Sequence, residues 1–444
     1  MKLSQVAQLT AGELQGTDLD FQQVSIDTRT LQGGDLFVAI RGDRFDGHDY
    51  LTQAADQGAC AALTEKSCKA FSSYVQVSDS RRALGQLAAG WAEQFSLRRL
   101  AVTGNAGKTT VKEMLAVMLA DNTLATRGNL NNDIGVPLTL LRVRAEHRYG
   151  VFELGANAPG EIAWTSSLVR PEVALVTNVT GAHLEGFGSM QGIADAKAEI
   201  FSAMGEGGSA IINADDQFAD HFTRAAEKYG LHIETVSMHT HADWRAVDIR
   251  TEGQGVSFTL EHDGLSIPVS VPLPGRHQVS NALLALAAVA AVGVPPTQAI
   301  DRLKQLKPMP GRMNVSRIAG GNLVDDSYNA NPGSVRAAVD FLVELSAPHL
   351  LILGEIGELG PQGPELHRQL GAYARDAGVQ QLIAIGNAAP AAQGFADGQV
   401  TDKQTAADLA AQVLGQGGSV LVKGSRSAAM EQVIEMLTQS RGMH

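Results

Sequence analysis

Thr103-Gly104-Asn105-Ala106-Gly107-Lys108-Thr109-Thr110 is the stretch on which the reading of this 444-residue chain turns. The apolar run before it, Leu100-Ala101-Val102, reads as a buried strand. After it Val111, Met114, Leu115 and Met118 recur at helical spacing, so a helix is predicted from about Lys108. Strand, glycine turn and helix together cradle phosphate. Small residues let the backbone approach the anion, and N–H groups at the helix start point at it with the helix dipole behind them. Lys108 would reach the β- and γ-phosphates, and the Thr109 hydroxyl would ligate Mg²⁺. The common template G-x-x-x-x-G-K-[ST] needs glycine where Val102 stands, so this loop is a shortened form. A bare G-K-T also occurs in plain glycine turns; the flanking strand and helix favour nucleotide binding.

Length and composition bound the rest. A chain this long predicts two to four domains with several cores. A net charge of −12 argues against a nucleic-acid backbone or an anionic membrane as partner. Cys60 and Cys68 are too few for a disulfide framework and fit a reducing compartment. The first twenty residues carry neither a basic cluster nor a continuous apolar core, so no secretion signal is expected. The longest apolar run, 282–292, is far short of the roughly 20 residues that span a bilayer. The expectation is a soluble cytoplasmic protein with no membrane span.

Residues 1–81 read as a small mixed unit. Ser25-Ile26-Asp27-Thr28-Arg29 is a strand end before the turn Gln32-Gly33-Gly34-Asp35, residues 36–40 are a buried strand, and Asp46-Gly47-His48 follows in a turn-rich stretch. Composition alone makes that stretch a surface loop. Residues 81–95 are predicted helical, with Leu84, Leu87, Ala88 and Trp91 on one face. From 82 to 308, strands at 151–154, 173–176 and 209–212 alternate with helices at 160–168, 191–204 and 217–228, as a mostly parallel sheet requires. Alternating Val256, Phe258 and Leu260 suggest added antiparallel strands, and 281–292 and 295–306 read as helices, the first alanine-rich and buried. From 309, apolar runs at 323–324, 350–353, 382–385 and 420–422 predict a second doubly wound sheet of Rossmann type. It lacks G-x-G-x-x-G and is not expected to bind a dinucleotide.

Polar residues cluster at the strand ends, where open α/β sheets bind ligands. Glu153 closes Val151-Phe152 and precedes Gly155-Ala156-Asn157; a carboxylate there suits a hard cation. His183 sits in a loop, where a lone histidine more often makes structural hydrogen bonds than binds metal. Lys197 looks like an ordinary solvated helix lysine. Asn129-Leu130-Asn131-Asn132 could be a turn cluster. Asp325-Asp326-Ser327-Tyr328-Asn329-Ala330-Asn331-Pro332 and Lys423-Gly424-Ser425-Arg426-Ser427 end two strands of the last unit, each readable as a capped turn.

The T-G-x-x-G-K-T spacing resembles the superfamily of Mur ligases and folylpolyglutamate synthases, ATP-dependent enzymes that form amide bonds. Further stretches carry the likeness to the Mur ligases from Ser25 to Arg426: S-x-D-[ST]-R with G-D-L-F-V-A and D-G-H, N-L-N-N-x-x-G-V-P, E-L-G-A-N-x-x-G-E-I, A-H-L-E-x-F-G-S, D-D-S-Y-N-A-N-P and K-G-S-R-S-A-A-M-E. The asparagine loop and D-D-S-Y-N-A-N-P are similar to the dipeptide-adding branch of that family. The resemblance implies three α/β domains: a small mixed α/β N-terminal domain (1–81) holding a UDP-sugar, a central P-loop ATPase-type parallel sheet (82–308), and a C-terminal Rossmann-like domain (309–444) for the amine acceptor. It places Ser25, Asp27, Arg29, Asp46, Gly47, His48, Asn129, Asn131, Asn132 and Asn157 on the UDP-sugar peptide. Tyr328, Asn329, Asn331, Lys423, Ser425 and Arg426 would face the substrates from the last domain. ATP would meet Gly104 through Thr110, Asn281 at the adenine, Asp326 at the ribose and Arg312 at the phosphates, once the last domain closes about a hinge near 308–312. Thr109, Glu153, His183 and Lys197, the last as a carbamate, would serve two Mg²⁺ ions, with Lys108, His183 and Lys197 as the catalytic set.

The implied reaction joins D-alanyl-D-alanine to UDP-N-acetylmuramoyl-tripeptide through an acyl phosphate, releasing ADP and phosphate, in a monomeric cytoplasmic enzyme of peptidoglycan precursor synthesis. A folylpolyglutamate synthase-like ligase and a non-catalytic nucleotide switch are the alternatives. The former has its P-loop near the chain start, with no domain resembling residues 1–80.

Overall fold

The computed structural model describes residues 1–42, 45–181, 184–252 and 254–439 and contains three β-sheets, of five, nine and six strands. The chain divides into two compact units. One comprises 1–101, 122–155 and 161–172; the other comprises 102–121, 156–160 and everything from 173 onward.

In the first unit the five strands run in the order Glu13–Gln15, Tyr74–Gln76, Ala61–Thr64, Leu36–Val38, Val24–Ser25; only the first pair is antiparallel. Helices Leu3–Thr10 and Ser80–Ala92 cover it, packing Leu3, Val6, Leu84 and Leu87 against Leu36, Val38, Leu63 and Val75, all fully buried. The second helix starts where Asp79 accepts from the Arg82 N–H (2.9 Å), which satisfies one of the first unpaired donors. Strands Thr123–Ala125 and Tyr149–Glu153 pair in parallel and place Glu153 at a strand end, as expected.

In the second unit, strands Val173–Val176, Ser209–Asn213 and His232–Ser237 pair in parallel, and Trp244–Glu252 joins in the same sense. Gly255–His262 and Leu265–Val271 then add antiparallel, as the alternation at Val256, Phe258 and Leu260 predicts. Helix His277–Ala291 is apolar on nearly every side, and 282–289 are wholly buried. It begins four residues before the expected start, directly after Gly275, whose φ of +97° turns the chain. The helix expected over 191–204 instead ends at Ala198 and continues as a 3₁₀ turn, Glu199–Ala203. The Glu199 carboxylate there accepts from the Gly160 N–H at 2.7 Å, and the tighter winding accommodates that reach.

The six-stranded sheet of this unit runs Asn314–Ile318, Gly321–Asp326, Ser419–Lys423, His349–Leu353, Gln381–Ile385, Gln399–Thr401. All pairs are parallel except the first. Asp326 and Lys423 are register partners at the carboxyl ends of neighbouring strands. Among the described residues, no helix is long and apolar enough to cross a membrane.

Candidate active site

The strand, glycine turn and helix around residues 103–110 form as the sequence implies. Strand Arg98–Thr103 leads into Gly104 (φ +138°) and Gly107 (φ +82°), and helix Lys108–Leu119 follows. Both glycines are needed for space as well as conformation. A Cβ on Gly104 would lie 1.9 Å from Thr177 Oγ1, and one on Gly107 would lie 2.5 Å from Asn281 Oδ1.

The neighbouring segment after Val173–Val176 braces the loop. Asn105 N–H donates to the Asn178 carbonyl (3.0 Å), Ala106 N–H to Asn178 Oδ1 (2.9 Å), and Thr177 Oγ1 to the Ala106 carbonyl (2.6 Å). The Asn105 side chain turns inward and accepts from Thr180 N–H at 3.0 Å. Residues 105 and 106 thus direct their amides at Asn178. Lys108 folds back and donates from Nζ to the Gly104 carbonyl at 2.7 Å.

Asn281 lies against this loop, and two residues the sequence reading did not single out set its orientation. Asn281 Nδ2 donates to Gln278 Oε1 (2.9 Å), and Gln278 Nε2 donates to His277 Nε2 (3.0 Å). This leaves the Asn281 carbonyl oxygen beside Gly107 and fixes the His277 proton on Nδ1. Burial, reinforced by the charge of Lys423, lowers the His277 pKa to about 4, so the ring is neutral near pH 7 and can accept that bond.

The Asp325–Pro332 loop comes to the same place within the second unit. Asn331 caps helix Pro332–Val343, accepting from Ser334 N–H at 2.8 Å. Its Nδ2 reaches the Asn105 carbonyl (3.4 Å), and Thr180 Oγ1 donates to its Oδ1 (3.3 Å). Asp326 is buried: Lys423 Nζ donates to one of its oxygens and Met313 N–H to the other (3.2 Å). Burial pushes this carboxyl up against the pull of Lys423. Lys423 also donates to the Asn329 carbonyl at 3.0 Å, so the pair holds the loop in shape, a task the sequence reading did not assign to Asp326. Tyr328 carries the Arg312 guanidinium over its ring at 4.3 Å and that of Arg426 at 5.8 Å; two cations thereby converge beside the loop. Arg426 pairs with Glu431 (2.8 Å), and Ser425 bonds Ser427 (3.0 Å).

Lys197 is not a solvated lysine. It is 1 % exposed, with Nζ 5.6 Å from the Phe187 ring centroid. Asn157 is exposed at the surface of this unit. His183 lies outside the described residues.

In the first unit, Glu153 is 2 % exposed; Asn131 Nδ2 donates to its Oε1 (2.8 Å), and its Oε2 has no partner among the described residues. A buried carboxylate oxygen without a donor is costly unless a cation serves it, so the position fits a metal ligand. The Gly135 N–H, at the start of helix Gly135–Leu140, donates to Asn132 Oδ1 (2.9 Å), and Asn129 is exposed. Ser25 Oγ bonds the Asp27 carbonyl (3.0 Å), and Asp27 binds Arg29 through both carboxylate oxygens, at 2.9 and 2.7 Å. His48 Nδ1 meets Asp46 at 2.5 Å, while its Nε2 accepts from Glu65 N–H (3.0 Å), so the proton sits on Nδ1. The His48 donors, backbone first, hold the Asp46 carboxyl at about 2.

Three family models match in order: a Mur ligase family catalytic domain over 20–92, a Mur ligase middle domain over 102–289, and a Mur ligase glutamate ligase domain over 311–426. The UDP-N-acetylmuramoyl-tripeptide–D-alanyl-D-alanine ligase of Escherichia coli (strain K12) is 43% identical over 99% of this chain and 98% of its own. The chain belongs to the Mur ligase family. The backbone of this Mur ligase is similar to a crystal structure of MurF from Acinetobacter baumannii, with a TM-score of 0.93 at 36% identity, covering 98% of each chain. It is also similar to the MurF ligase of Thermotoga maritima in complex with ADP, with a TM-score of 0.85 at 28% identity, covering 94% of this chain and 97% of that one.

One contact in this Mur ligase is directly testable. A Cβ on Gly333, in the first turn after Asn331, would fall 2.5 Å from Thr180 Cγ2 and 2.8 Å from its Cβ. Rotating the threonine cannot relieve a clash with its own Cβ. Alanine favours a helix over glycine by roughly 0.5–1 kcal/mol, so Gly333→Ala should leave the fold intact. It should nevertheless slow turnover at least ~10-fold by displacing the Asn331 loop from the P-loop, since misplacing reacting groups by about 1 Å costs that much or more. Steady-state kinetics beside a thermal melt check both halves.

Proposed function

We propose that this Mur ligase joins the amine of D-alanyl-D-alanine to the terminal carboxylate of UDP-N-acetylmuramoyl-tripeptide in the cytoplasm, using ATP and releasing ADP and phosphate. The full-length relative bearing that activity, 43% identical across essentially the whole chain, carries the reading. The loop Tyr328-Asn329-Ala330-Asn331-Pro332 beside the P-loop supports it.

The peptide carboxylate attacks the γ-phosphorus in line, ADP leaves, and an acyl phosphate forms. The dipeptide amine then attacks the acyl carbon, the C–O bond to phosphate breaks, and an amide remains. Lys108 leaves its parking place on the Gly104 carbonyl to offset charge on the phosphoryl oxygens. The relayed Asn281 amide and the P-loop helix position the nucleotide, while Asn331 brings the acceptor loop to the same turn. By family likeness two Mg²⁺ ions are used, and the residues that would serve them are Thr109, His183 and Lys197 (as a carbamate) from the second unit and Glu153 from the first. Bound there, they would neutralise charge on the phosphates.

On the donor side, the Asp27–Arg29 and Asp46–His48 turns and the Asn129–Asn132 loop would hold the UDP-sugar peptide. Arg312 and Arg426 on Tyr328 would balance substrate charge near the acceptor loop.

With ATP, Mg²⁺ and UDP-N-acetylmuramoyl-tripeptide present, phosphate release should depend on D-alanyl-D-alanine. D-alanine, L-lysine, diaminopimelate and L-glutamate should support it at least ~10²-fold less well, because a site built for the second residue leaves polar groups unpaired without it. Turnover with L-glutamate on a folate, and none with the dipeptide, would overturn the assignment in favour of the folylpolyglutamate branch.

A further inference from the structure

Two side chains just beyond strand Ser209–Asn213 reach across to the segment that braces the P-loop. Asn213 Nδ2 donates to the Thr177 carbonyl at 3.0 Å, and Val179 N–H donates to Asp216 Oδ2 at 2.7 Å. Between those two peptide groups stands Asn178. Its carbonyl accepts from Asn105 N–H, and its side-chain amide pairs with Ala106 twice, accepting from the N–H at 2.9 Å and donating to the carbonyl at 3.1 Å. The segment also lies against the first glycine of the loop: a Cβ on Gly104 would fall 3.1 Å from the Asn178 nitrogen. Asn178 is thus tied on both flanks to the neighbouring strand end, and its position sets that of residues 105 and 106.

Asp216 has a local task as well. Its Oδ1 accepts from Phe218 N–H at 2.9 Å, closing a turn ahead of helix Ala219–Glu227. A short acceptor is enough for that bond. The bond to Val179, 37 positions away, needs the reach of the second oxygen. Val179 is buried, so its N–H finds no water in exchange, and loss of Oδ2 displaces the peptide beside Asn178. Side-chain length therefore separates the two tasks.

We infer that Asp216 is a positioning residue for the nucleotide: by holding the Val179 N–H it fixes Asn178, and through Asn178 it keeps the P-loop in the shape that receives the triphosphate. The inference rests on the reading of residues 103–110 as the ATP site. A loop held in its binding shape beforehand costs less to order when the ligand arrives, so release of the brace shows in nucleotide affinity.

Isothermal titration of the full-length protein with Mg²⁺ and the non-hydrolysable analogue AMP-PNP tests this role. Asp216→Ser keeps an acceptor for Phe218 and loses the reach to Val179. Its dissociation constant for AMP-PNP should rise at least ~10-fold, while that for UDP-N-acetylmuramoyl-tripeptide stays within about twofold. Asp216→Asn keeps an oxygen at the right reach and should restore most of the affinity. In a double-mutant cycle with Asn178→Ala the losses should not add, because Asp216 acts through Asn178. Should Asp216→Ser melt early, Asp216→Glu, which keeps the carboxylate but adds a methylene, takes its place. Unchanged AMP-PNP affinity, an equal loss in Asp216→Asn, equal weakening of the UDP-sugar peptide, or additive losses in the cycle would each overturn the positioning role. Wild-type protein that binds no AMP-PNP would instead remove the ATP reading beneath it, so the two failures are distinguishable.

Discussion

Lys108→Ala is expected to reduce ligation by at least ~10³-fold while leaving the fold intact, since preorganised charge at a reacting phosphoryl group is worth that much or more. The lysine sits half-buried at the first turn of its helix, and its ammonium rests on the Gly104 carbonyl. Those loop bonds are local and the loop is independently braced by Thr177 and Asn178, so the melting curve should hardly move; a surface change of this kind costs within about 0.5 kcal/mol. The combination is diagnostic. A structural lysine would lose stability with activity, whereas a phosphate-facing lysine loses activity alone. Near-normal turnover of the variant at saturating ATP would remove the P-loop from the account.

Lys197→Ala should cost at least ~10²-fold in turnover, the order seen when a ligand or charge-stabilising group is removed. An ordinary helix lysine would be silent. This one is wholly buried, with its Nζ 5.6 Å from the Phe187 ring centroid. A lysine amine that has given up its proton reacts with CO₂, losing a second proton, to give a carbamate, an anionic oxygen ligand of the kind magnesium prefers. The intact protein in bicarbonate should show the added carboxylate by mass, and acetate should restore part of the activity of Lys197→Ala. Full activity without rescue, or an unmodified lysine in bicarbonate, would refute the carbamate.

What the sequence made legible is what local pattern encodes. The strand before Gly104 and the helix after Gly107 follow from an apolar run, two glycines and a 3.6-residue period, and both form as read. The antiparallel strands of 244–271 follow from strict alternation. Helix Leu3–Thr10 escaped because eight residues with three buried ones give too short a period to register. Strand Asn314–Ile318 escaped because it is half-exposed and has no apolar run; its partner strand, not its composition, makes it a strand.

In the site, residue types were legible and pairings were not. Asp326 reads as a ligand carboxylate at a strand end, yet its register partner Lys423, 97 positions away, holds it. Asn132 reads as part of a substrate loop, and its side chain also accepts from the Gly135 N–H. The His277–Gln278–Asn281 relay depends on which groups find partners, and that is a property of packing.

The central claim is that the chain activates a peptide carboxylate as an acyl phosphate. UDP-N-acetylmuramoyl-tripeptide labelled with heavy oxygen in its terminal carboxylate tests this directly, by mass analysis of the phosphate released on complete turnover with ATP and D-alanyl-D-alanine. The account predicts a heavy oxygen in each released phosphate and an unlabelled nucleotide product, because the C–O bond broken by the amine leaves the carboxylate oxygen on phosphorus. Unlabelled phosphate, or label found in AMP, would contradict it.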